Sequence, residues 1–365
     1  MIPLIDLTRQ HASLRPDLLA AMARVLDSSR FILGAEGQAL EAALAARSNV
    51  RHGIGVGSGT DALRLALEAL DVREGDEVIT PAFSFVASAS MIVMAGAIPV
   101  FVDVDPETCT LDARALERAI GPRTRGIVAV HLYGHPAPMT PIMALARAHG
   151  LFVIEDAAQA IGAEVDGRPI GAWGDVTCLS FYPTKNLGAC GDGGMILTDR
   201  DDLAGRLRRL RHHGDAGRYQ HVELGSSSRL DDLQAAILRI KLDRLDEWTT
   251  ARRRTAARYR EALADTPLTL PVERPRARHV YHLYTVRHPR REALASALAE
   301  LGIGTSVHYP LPVPAQGLFG GRDDGAWPEA SRAAREVISL PCFAELTDDE
   351  VGEVAQAVRL ACKRL

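Results

Sequence analysis

The sequence predicts an α/β protein with a mostly parallel seven-stranded sheet flanked by helices, followed by a smaller C-terminal α+β domain. Two patterns predict this fold. Up to about residue 210, short apolar runs alternate with segments of helical periodicity, as expected for parallel strands covered on both faces. After about residue 230, longer helical patterns and proline-rich breaks replace that alternation. We therefore expect a large domain at residues 1–245, including an N-terminal segment 1–30, and a small domain at 246–365.

Each element of the large domain is predicted from a local pattern. The strands correspond to Gly53–Ser58, Glu77–Phe83, Pro99–Asp105, Gly126–Gly134, Leu151–Ala157, Val176–Tyr182 and Gly194–Asp199. The intervening helices correspond to Thr60–Leu70, Phe85–Ala95, Ala113–Ala119, Thr140–His149 and Asp201–Arg211. Residues suited to helix N-caps, such as Asp112, stand at the start of several of these segments.

The small domain has a different arrangement. Leu230–Tyr259 predicts one long helix or two helices in tandem, rich in arginine. Strands are then predicted at Val280–Arg287 and Gly302–His308, and helices at Glu292–Leu301, Glu329–Val337 and Asp348–Lys363. Three prolines between residues 310 and 314 predict irregular backbone, because proline supplies no N–H and has a fixed φ.

Composition excludes several classes of protein. The 365 residues can bury a large core, and 47% hydrophobic with 24% charged residues is ordinary globular composition. A net charge of −4 argues against a dedicated nucleic-acid binder. Five cysteines without a C-x-x-C motif favour neither a disulfide framework nor a metal site and suggest a reducing, cytoplasmic location.

Two segments bear on targeting and membrane insertion. Residues 1–6 lack the basic and apolar regions of a signal peptide. Residues 78–102 carry no charge, but Pro81, Pro99 and several small polar residues favour strand, helix and strand in a buried core over a membrane span.

The lysine content leaves few candidate residues for any chemistry that needs a side-chain amine. Only Lys185, Lys241 and Lys363 occur among the 42 basic residues. Lys241 is expected on an exposed, arginine-rich helix, and Lys363 lies near the C-terminal end of the sequence. Lys185 follows a predicted buried strand at the start of a glycine-rich turn. A desolvated lysine has a lowered pKa and can form a Schiff base, whereas a loop lysine can equally be a solvated charge.

Two further segments lie where an α/β sheet usually binds ligands. Gly53–Thr60 contains four glycines between a predicted strand and helix, so it is either a phosphate-binding turn or a tight turn without a ligand. Its spacing does not fit the dinucleotide-binding fingerprint. Asp156 ends a buried strand, where a carboxylate is either functional or caps the next helix.

Together, these three features match the requirements of pyridoxal 5′-phosphate (PLP). The aldehyde of this cofactor needs an amine, its ring nitrogen needs a carboxylate, and its phosphate needs N–H and hydroxyl donors. Lys185, Asp156 and the segment Ser58–Thr60 supply these groups on one α/β framework.

Nearly the whole chain resembles the DegT/DnrJ/EryC1/StrS sugar aminotransferase family, which has the aspartate aminotransferase-like type I fold of PLP-dependent transferases. The resemblance rests on the collinear stretches Gly57–Leu63, Pro81–Ser88, Glu155–Ala160, Ser180–Gly188, Gly191–Gly194, Arg229–Ala236 and His308–Pro310.

The resemblance implies a role for each matching residue. Lys185 would be the Schiff-base lysine, Asp156 the partner of the ring nitrogen, and Gln159 a contact of the ring oxygen. Ser58, Gly59, Thr60 and Ser180 would surround the phosphate. Phe85 would stack on the ring, with core packing as the alternative. Substrate contacts would come from Tyr182, Arg229, His308 and Tyr309.

One position departs from the family pattern. The family usually has asparagine two residues before the arginine of the Arg-x-x-x-x-Gln segment, where it reaches the phosphate in the neighbouring subunit's site. Here Ser227 stands in that place. Serine can donate a hydrogen bond but is shorter, so the contact becomes water-mediated or is lost, which weakens cofactor binding but leaves the fold unaffected.

The family resemblance predicts transamination of a nucleotide-linked keto-hexose in a homodimer with shared sites, and L-glutamate as amino donor. The stretches Ser228–Asp231, His212–Gly214 and Arg218–Tyr219 resemble the branch that acts at C3, although the arginines and histidines could form a solvated face. A dTDP-3-keto-6-deoxyhexose or a UDP-3-keto sugar fits best, with a 4-keto sugar as the alternative.

Three other functions remain open from the sequence. A PLP-dependent sugar dehydratase would have histidine in place of Lys185. A non-catalytic or regulatory protein could hold PLP on the same fold without turnover. An NAD(P)-dependent dehydrogenase would use the glycine cluster that begins at Gly53 and would form no lysine adduct.

Overall fold

The computed structural model describes residues 1–321 and 325–365. Its helices are α1 (Leu7–Ser28), α2 (Ala35–Arg47), α3 (Gly59–Ala69), α4 (Ala87–Met94), α5 (Ala113–Ala119), α6 (Met139–His149), α7 (Asp201–Leu210), α8 (Asp232–Leu242), α9 (Leu245–Ala262), α10 (Arg291–Glu300), α11 (Pro328–Glu336) and α12 (Asp348–Lys363). Its strands are β1 (His52–Val56), β2 (Glu77–Pro81), β3 (Ile98–Val102), β4 (Thr124–Val130), β5 (Phe152–Asp156), β6 (Glu164–Val165), β7 (Arg168–Pro169), β8 (Val176–Ser180), β9 (Gly194–Thr198), β10 (Ala277–Arg278), β11 (Tyr284–Arg287) and β12 (Val337–Leu340).

The central sheet has seven strands in the order β1-β9-β8-β5-β4-β2-β3. The neighbours from β3 to β8 are parallel, and β9 is antiparallel to both β8 and β1. The predicted mostly parallel seven-stranded sheet is therefore confirmed. Three-stranded (β10-β6-β7) and two-stranded (β11-β12) sheets complete the architecture.

Both faces of the large sheet are buried. One core cluster joins the sheet to α3, α4 and α7, and a second joins it to α2, α5, α6 and α8. Successive residues point to opposite faces, so Ile154 belongs to the first cluster and Val153 to the second. This burial explains the continuously apolar strands in the sequence.

A third core cluster consists mainly of side chains from α9 onward and also includes Ile2. Ile2 forms a parallel bridge with Ile303, which ties the first residues of the chain to this cluster. The division after residue 245 stays a prediction. Among the residues described here, none of the helices combines the length and apolar character needed to cross a bilayer.

The segment after residue 230 forms two helices in tandem, α8 and α9, separated by Asp243 and Arg244, which is one of the two expected arrangements. Other local features differ from the sequence prediction. Helices α1 and α2 were not predicted. The expected strand at 280–287 begins only at Tyr284. The expected strand at 302–308 is wrong, because Ile303 pairs with Ile2 and Ser306 with Ser339, which leaves two isolated bridges.

Candidate active site

The candidate site lies at the carboxyl edge of the large sheet. Asp156 ends β5, and Ser180 ends the parallel neighbour β8, so both residues lie at one edge. A cavity of about 490 Å³ opens there. Of the predicted site residues, those that line it are Ser58, Gly59, Thr60, Phe85, Asp156, Gln159, Ser180, Tyr182, Lys185, His308 and Tyr309.

Lys185 lies on a tight turn that follows β8. Its backbone N–H donates to the carbonyl of Tyr182 at 2.8 Å, and Ala189 N–H closes the turn onto the carbonyl of Phe181 at 2.8 Å. Burial lowers the pKa of Lys185 to about 8, although the negative charge of Asp156 opposes that change. Lys185 Nζ forms no hydrogen bond with any residue in 1–321 or 325–365. The amine can therefore hold or release a proton near neutral pH.

The carboxylate of Asp156 has few hydrogen-bond partners within the protein. Its Oδ1 accepts a hydrogen bond from the backbone N–H of Ala158 at 3.2 Å. Burial raises the pKa of Asp156 above its ordinary value, and the Ala158 N–H and the charge of Lys185 act in the opposite direction. A buried carboxylate with so few partners is costly unless a positively charged group meets it.

The turn before α3 forms a narrow cradle. Ser58 is the N-cap of α3, and its hydroxyl accepts a hydrogen bond from Asp61 N–H at 3.0 Å. A Cβ atom on Gly59 would lie 2.6 Å from Cβ of Ser180, so only glycine lets the turn approach the end of β8 this closely. The N–H groups at the start of the helix and the hydroxyls of Thr60 and Ser180 suit an anion such as phosphate.

Aromatic and amide groups line the rest of the cavity. Gln159 Oε1 accepts from Tyr133 N–H at 2.7 Å, and Gln159 Nε2 donates to the hydroxyl of Tyr309 at 3.2 Å. The rings of Phe85 and Tyr309 lie 5.8 Å apart. Phe85 remains half-exposed, so it does not simply pack in the core. His308 Nδ1 lies 3.0 Å from the hydroxyl of Ser339.

Ser227 and Arg229 lie outside this cavity in the single chain. Ser227 is exposed and forms a bridge with His212. Arg229 directs one guanidinium nitrogen to His212 Nδ1 at 2.9 Å. The two residues lie beside the first turns of α3, where Ser228 contacts Gly57 and Asp61.

The structure adds cavity residues that the sequence reasoning missed. They include Ser84, His131, Thr184, Asp192 and His282. His131 directly follows β4, so the strand-end rule applied to Asp156 would have found it. No local signal marks His282, which reaches the cavity from a distant segment of the sequence.

His131 is oriented by a buried carboxylate. Its Nδ1 accepts from Ala137 N–H at 2.9 Å, so the proton of the neutral ring lies on Nε2, which faces Glu155 Oε2 at 3.3 Å. Glu155 is completely buried and accepts five hydrogen bonds in total. The other four donors are the N–H groups of Gly171, Trp173 and Gly174 and the hydroxyl of Thr177.

The expectation that Lys241 is exposed is wrong. Lys241 is fully buried on α8, and its Nζ donates to the carbonyl of Gly188 at 2.8 Å and lies 3.0 Å from His11 Nε2. Helix α1, which carries His11 and covers α8, was not predicted, and without it this face of α8 reads as solvent-exposed. Lys241 thereby anchors the end of the turn that carries Lys185.

The curated relatives that match this chain almost end to end include the following three. A pleiotropic regulatory protein of Geobacillus stearothermophilus is 48% identical over 98% of this chain and 97% of its own. A UDP-N-acetyl-3-dehydro-α-D-glucosamine 3-aminotransferase of Acidithiobacillus ferrooxidans is 46% identical over 98% and 97%. A dTDP-3-amino-3,4,6-trideoxy-α-D-glucose transaminase of Streptomyces venezuelae is 46% identical over 100% and 97%.

Two solved structures show the same fold. The S. venezuelae protein DesV, in complex with a ketimine intermediate, superposes with a TM-score of 0.98 at 46% identity, covering 100% of this chain and 99% of that one. NtdA of Bacillus subtilis, with bound cofactor PMP, gives 0.89 at 33% identity, covering 96% and 82%. The profile of the DegT/DnrJ/EryC1/StrS aminotransferase family matches residues 13–359, and this chain therefore belongs to that family.

Proposed function

We propose that this protein is a PLP-dependent aminotransferase that converts a nucleotide-linked 3-keto-hexose into the corresponding amino sugar. The observation that carries the proposal is the meeting of Lys185 and Asp156 in one cavity, beside the cradle at Gly59. Relatives that are named as 3-amino-sugar transaminases, and that match this chain nearly end to end, support the choice of C3.

The residues of the cavity fit PLP in four places. Lys185 would hold the cofactor through its amine. Asp156 would face the ring nitrogen, which supplies the positively charged partner that its buried carboxylate lacks. Gly59, Thr60 and Ser180 would surround the phosphate, with Ser58 fixing the start of α3. Phe85 and Gln159 would contact the ring.

When bound, PLP supplies an electron sink for exchange of an amino group. Lys185 contributes an amine whose lowered pKa lets it take up and release a proton near neutral pH. Asp156 would hold a proton on the ring nitrogen. Tyr309 is held by Gln159, and together with Tyr182 and His308 it would orient the sugar.

The proposal also covers the substrate, the amino donor and the cellular location. The keto-sugar carries either dTDP or UDP, since both nucleotides appear in the names of relatives. L-Glutamate is the proposed amino donor. Five cysteines without a disulfide support a cytoplasmic location.

The proposed assembly is a homodimer with shared sites. The loop after α7 exposes Tyr219, Val222 and Leu224, with 91%, 63% and 97% of their surfaces accessible. Large apolar side chains exposed together favour burial against another protein surface. Ser227 lies on the same loop, outside the cavity of its own chain, and would contribute to the partner's phosphate site.

The experiment is visible absorption spectroscopy of the purified protein with PLP, before and after addition of L-glutamate. A visible band that bleaches with glutamate is the expected result. Lys185→Ala should remove the band, and Lys363→Arg, an exposed control at another of the three lysines, should retain it. Absence of any band in the unmodified protein would contradict the proposal.

A second candidate function is regulatory binding without turnover, which the name of the Geobacillus relative favours. The same spectra separate the two. A PLP-binding regulator would show a Lys185-dependent band that ignores glutamate, whereas an aminotransferase would lose the band as the donor reacts.

A further inference from the structure

Arg287 is a buried cation at the end of β11. Its neighbour Val286 belongs to the third core cluster, so the pleat of the strand turns the side chain of Arg287 to the opposite face. The backbone is satisfied there, because Arg287 N–H donates to the carbonyl of Thr269 at 2.9 Å and Thr269 N–H donates back at 3.0 Å. Arg287 retains only 7% of its accessible surface, so its guanidinium lies almost entirely out of water.

This guanidinium has no protein partner in the part of the chain that the structure describes. Nη1 is completely buried and donates no hydrogen bond, and no described carboxylate forms an ion pair with Arg287. Arginine stays charged at every pH at which proteins are folded. Because a buried charge without a partner is strongly unfavourable, Arg287 is poised to take up a negatively charged partner.

Arg287 lines a second, much smaller cavity of about 30 Å³ beside the candidate active site. Leu283 lines both cavities, and Tyr133, which lines the smaller one, donates its hydroxyl to the carbonyl of His308 in the larger one. The smaller cavity has room for about two water-sized particles. It therefore admits a small ion, whereas phosphate or an organic carboxylate is too large.

The titratable groups closest to this guanidinium do not neutralise it. The charge of Arg287 acts on the Cys109 thiol and on the Tyr133 hydroxyl, and both residues line the small cavity. Burial nevertheless raises the pKa of Cys109 to about 11 and the pKa of Tyr133 well above its ordinary value. Both groups are therefore uncharged near neutral pH.

The carboxylates around the small cavity are matched by other arginines. Arg274 pairs with Glu107 and with Asp105, each at 2.9 Å. Glu329 lies 3.7 Å from a different arginine on its own helix. The positive charge inside the small cavity therefore remains uncompensated by the carboxylates at its edge.

We propose that the small cavity beside Arg287 binds one monovalent inorganic anion of the size of chloride. The guanidinium N–H groups would donate to the anion, and the S–H group of Cys109 can add a weak donor. Apolar side chains such as Leu270 and Val337 complete the lining, which suits a weakly hydrated halide. A water molecule fits the same space but leaves the charge unbalanced. The inference does not depend on the proposed function.

Halide-dependent stability tests the site. The full-length protein is unfolded in urea at constant ionic strength while bromide replaces gluconate, an anion too large for the small cavity. Arg287→Met removes the charge and keeps a long, unbranched side chain. Arg335→Met is the matched control, because Arg335 is exposed. An anion that binds only the folded protein raises the unfolding free energy as its concentration exceeds the dissociation constant.

The expected result is a urea midpoint that rises with bromide in the unmodified protein and in Arg335→Met. In Arg287→Met, bromide should bind about tenfold more weakly or worse, the value of one charge-assisted hydrogen bond. The same bromide dependence in all three proteins, including none at all, would overturn the proposal.

Anomalous diffraction provides the test if Arg287→Met does not fold. Crystals of the unmodified protein are grown or soaked in sodium bromide. An anomalous peak within hydrogen-bond distance of the Arg287 guanidinium supports the anion site, whereas water density without an anomalous signal at that place overturns it.

Discussion

Glu155 provides the sharpest stability test, because its buried carboxylate accepts five hydrogen bonds, one of them from the cavity residue His131. Oε1 accepts from Trp173 N–H, Gly174 N–H and the Thr177 hydroxyl at 2.9–3.0 Å. Oε2 accepts from Gly171 N–H and His131 Nε2 at 3.3 Å each. All five partners are donors, so an ionised carboxylate is the group that satisfies them together.

Glu155→Gln keeps the shape of the side chain but replaces one acceptor with a donor. The amide oxygen can serve the three donors at Oε1, and its NH₂ group then faces the N–H of Gly171 and Nε2–H of His131. The imidazole of His131 cannot move its proton from Nε2 to Nδ1, because Nδ1 already accepts the hydrogen bond from Ala137 N–H. Two stranded buried donors at about 2 kcal/mol each give a loss of about 4 kcal/mol of unfolding free energy.

The pH dependence of this contribution has a definite sign. Burial by itself would raise the pKa of Glu155, but the hydrogen bonds from His131, Gly174 and Thr177 together lower it below its ordinary 4.5. A carboxylate with a depressed folded-state pKa contributes stability above its unfolded pKa and loses it as pH falls through the folded value. The difference between the unmodified protein and Glu155→Gln should therefore shrink below about pH 4.5.

Urea unfolding at a fixed protein concentration measures both effects. Thr177→Val is the matched control: it removes one of the three donors to Oε1 and leaves the carboxylate intact, at a cost of about 1 kcal/mol. A Glu155→Gln variant no less stable than Thr177→Val at pH 7 would refute the assignment of Glu155 as an ionised acceptor for five donors.

Two further predictions concern Lys241 and Ser227. Lys241→Met should cost about 2 kcal/mol in urea unfolding, because the Gly188 carbonyl and His11 lose their buried donor, whereas the exposed Lys363→Arg should cost nothing measurable; equal stability of both variants would contradict the anchoring role. Ser227→Asn should tighten PLP binding about fivefold, the value of one recovered hydrogen bond. Absorption titration measures that affinity, and an unchanged dissociation constant would argue against a phosphate contact from this position.

Two cavity residues near strand ends were predicted from local pattern. Lys185 follows an apolar run and Asp156 ends one, and the carboxyl ends of parallel strands meet at one edge, so local pattern sufficed to bring them together. Ser180, Gln159, Phe85, His308 and Tyr309 depended on the family resemblance. Their place in the cavity follows from segments far apart in the chain.

The residues that the sequence did not predict owe their positions to contacts with distant segments of the chain, and no local pattern marks them. Lys241 was expected in solvent because its covering helix α1 went unrecognised. His282 reaches the cavity through an amide next to Lys185, a contact across 96 residues. The wrong prediction of a strand at 302–308 has the same cause, because the two bridges of this segment go to separate partners, Ile2 and Ser339. Pairing across such distances leaves no periodic signal.

The burial of Lys241 leaves this protein with very few reactive lysines. Lys363 is exposed, Lys185 lines the cavity, and Lys241 is closed off in the core. An amine-directed acylating reagent would therefore modify one lysine on the outer surface and one inside the cavity. Peptide mass mapping of the labelled chain would then measure access to the cavity. A ligand in the cavity protects Lys185, while Lys363 reports the extent of labelling in the same sample.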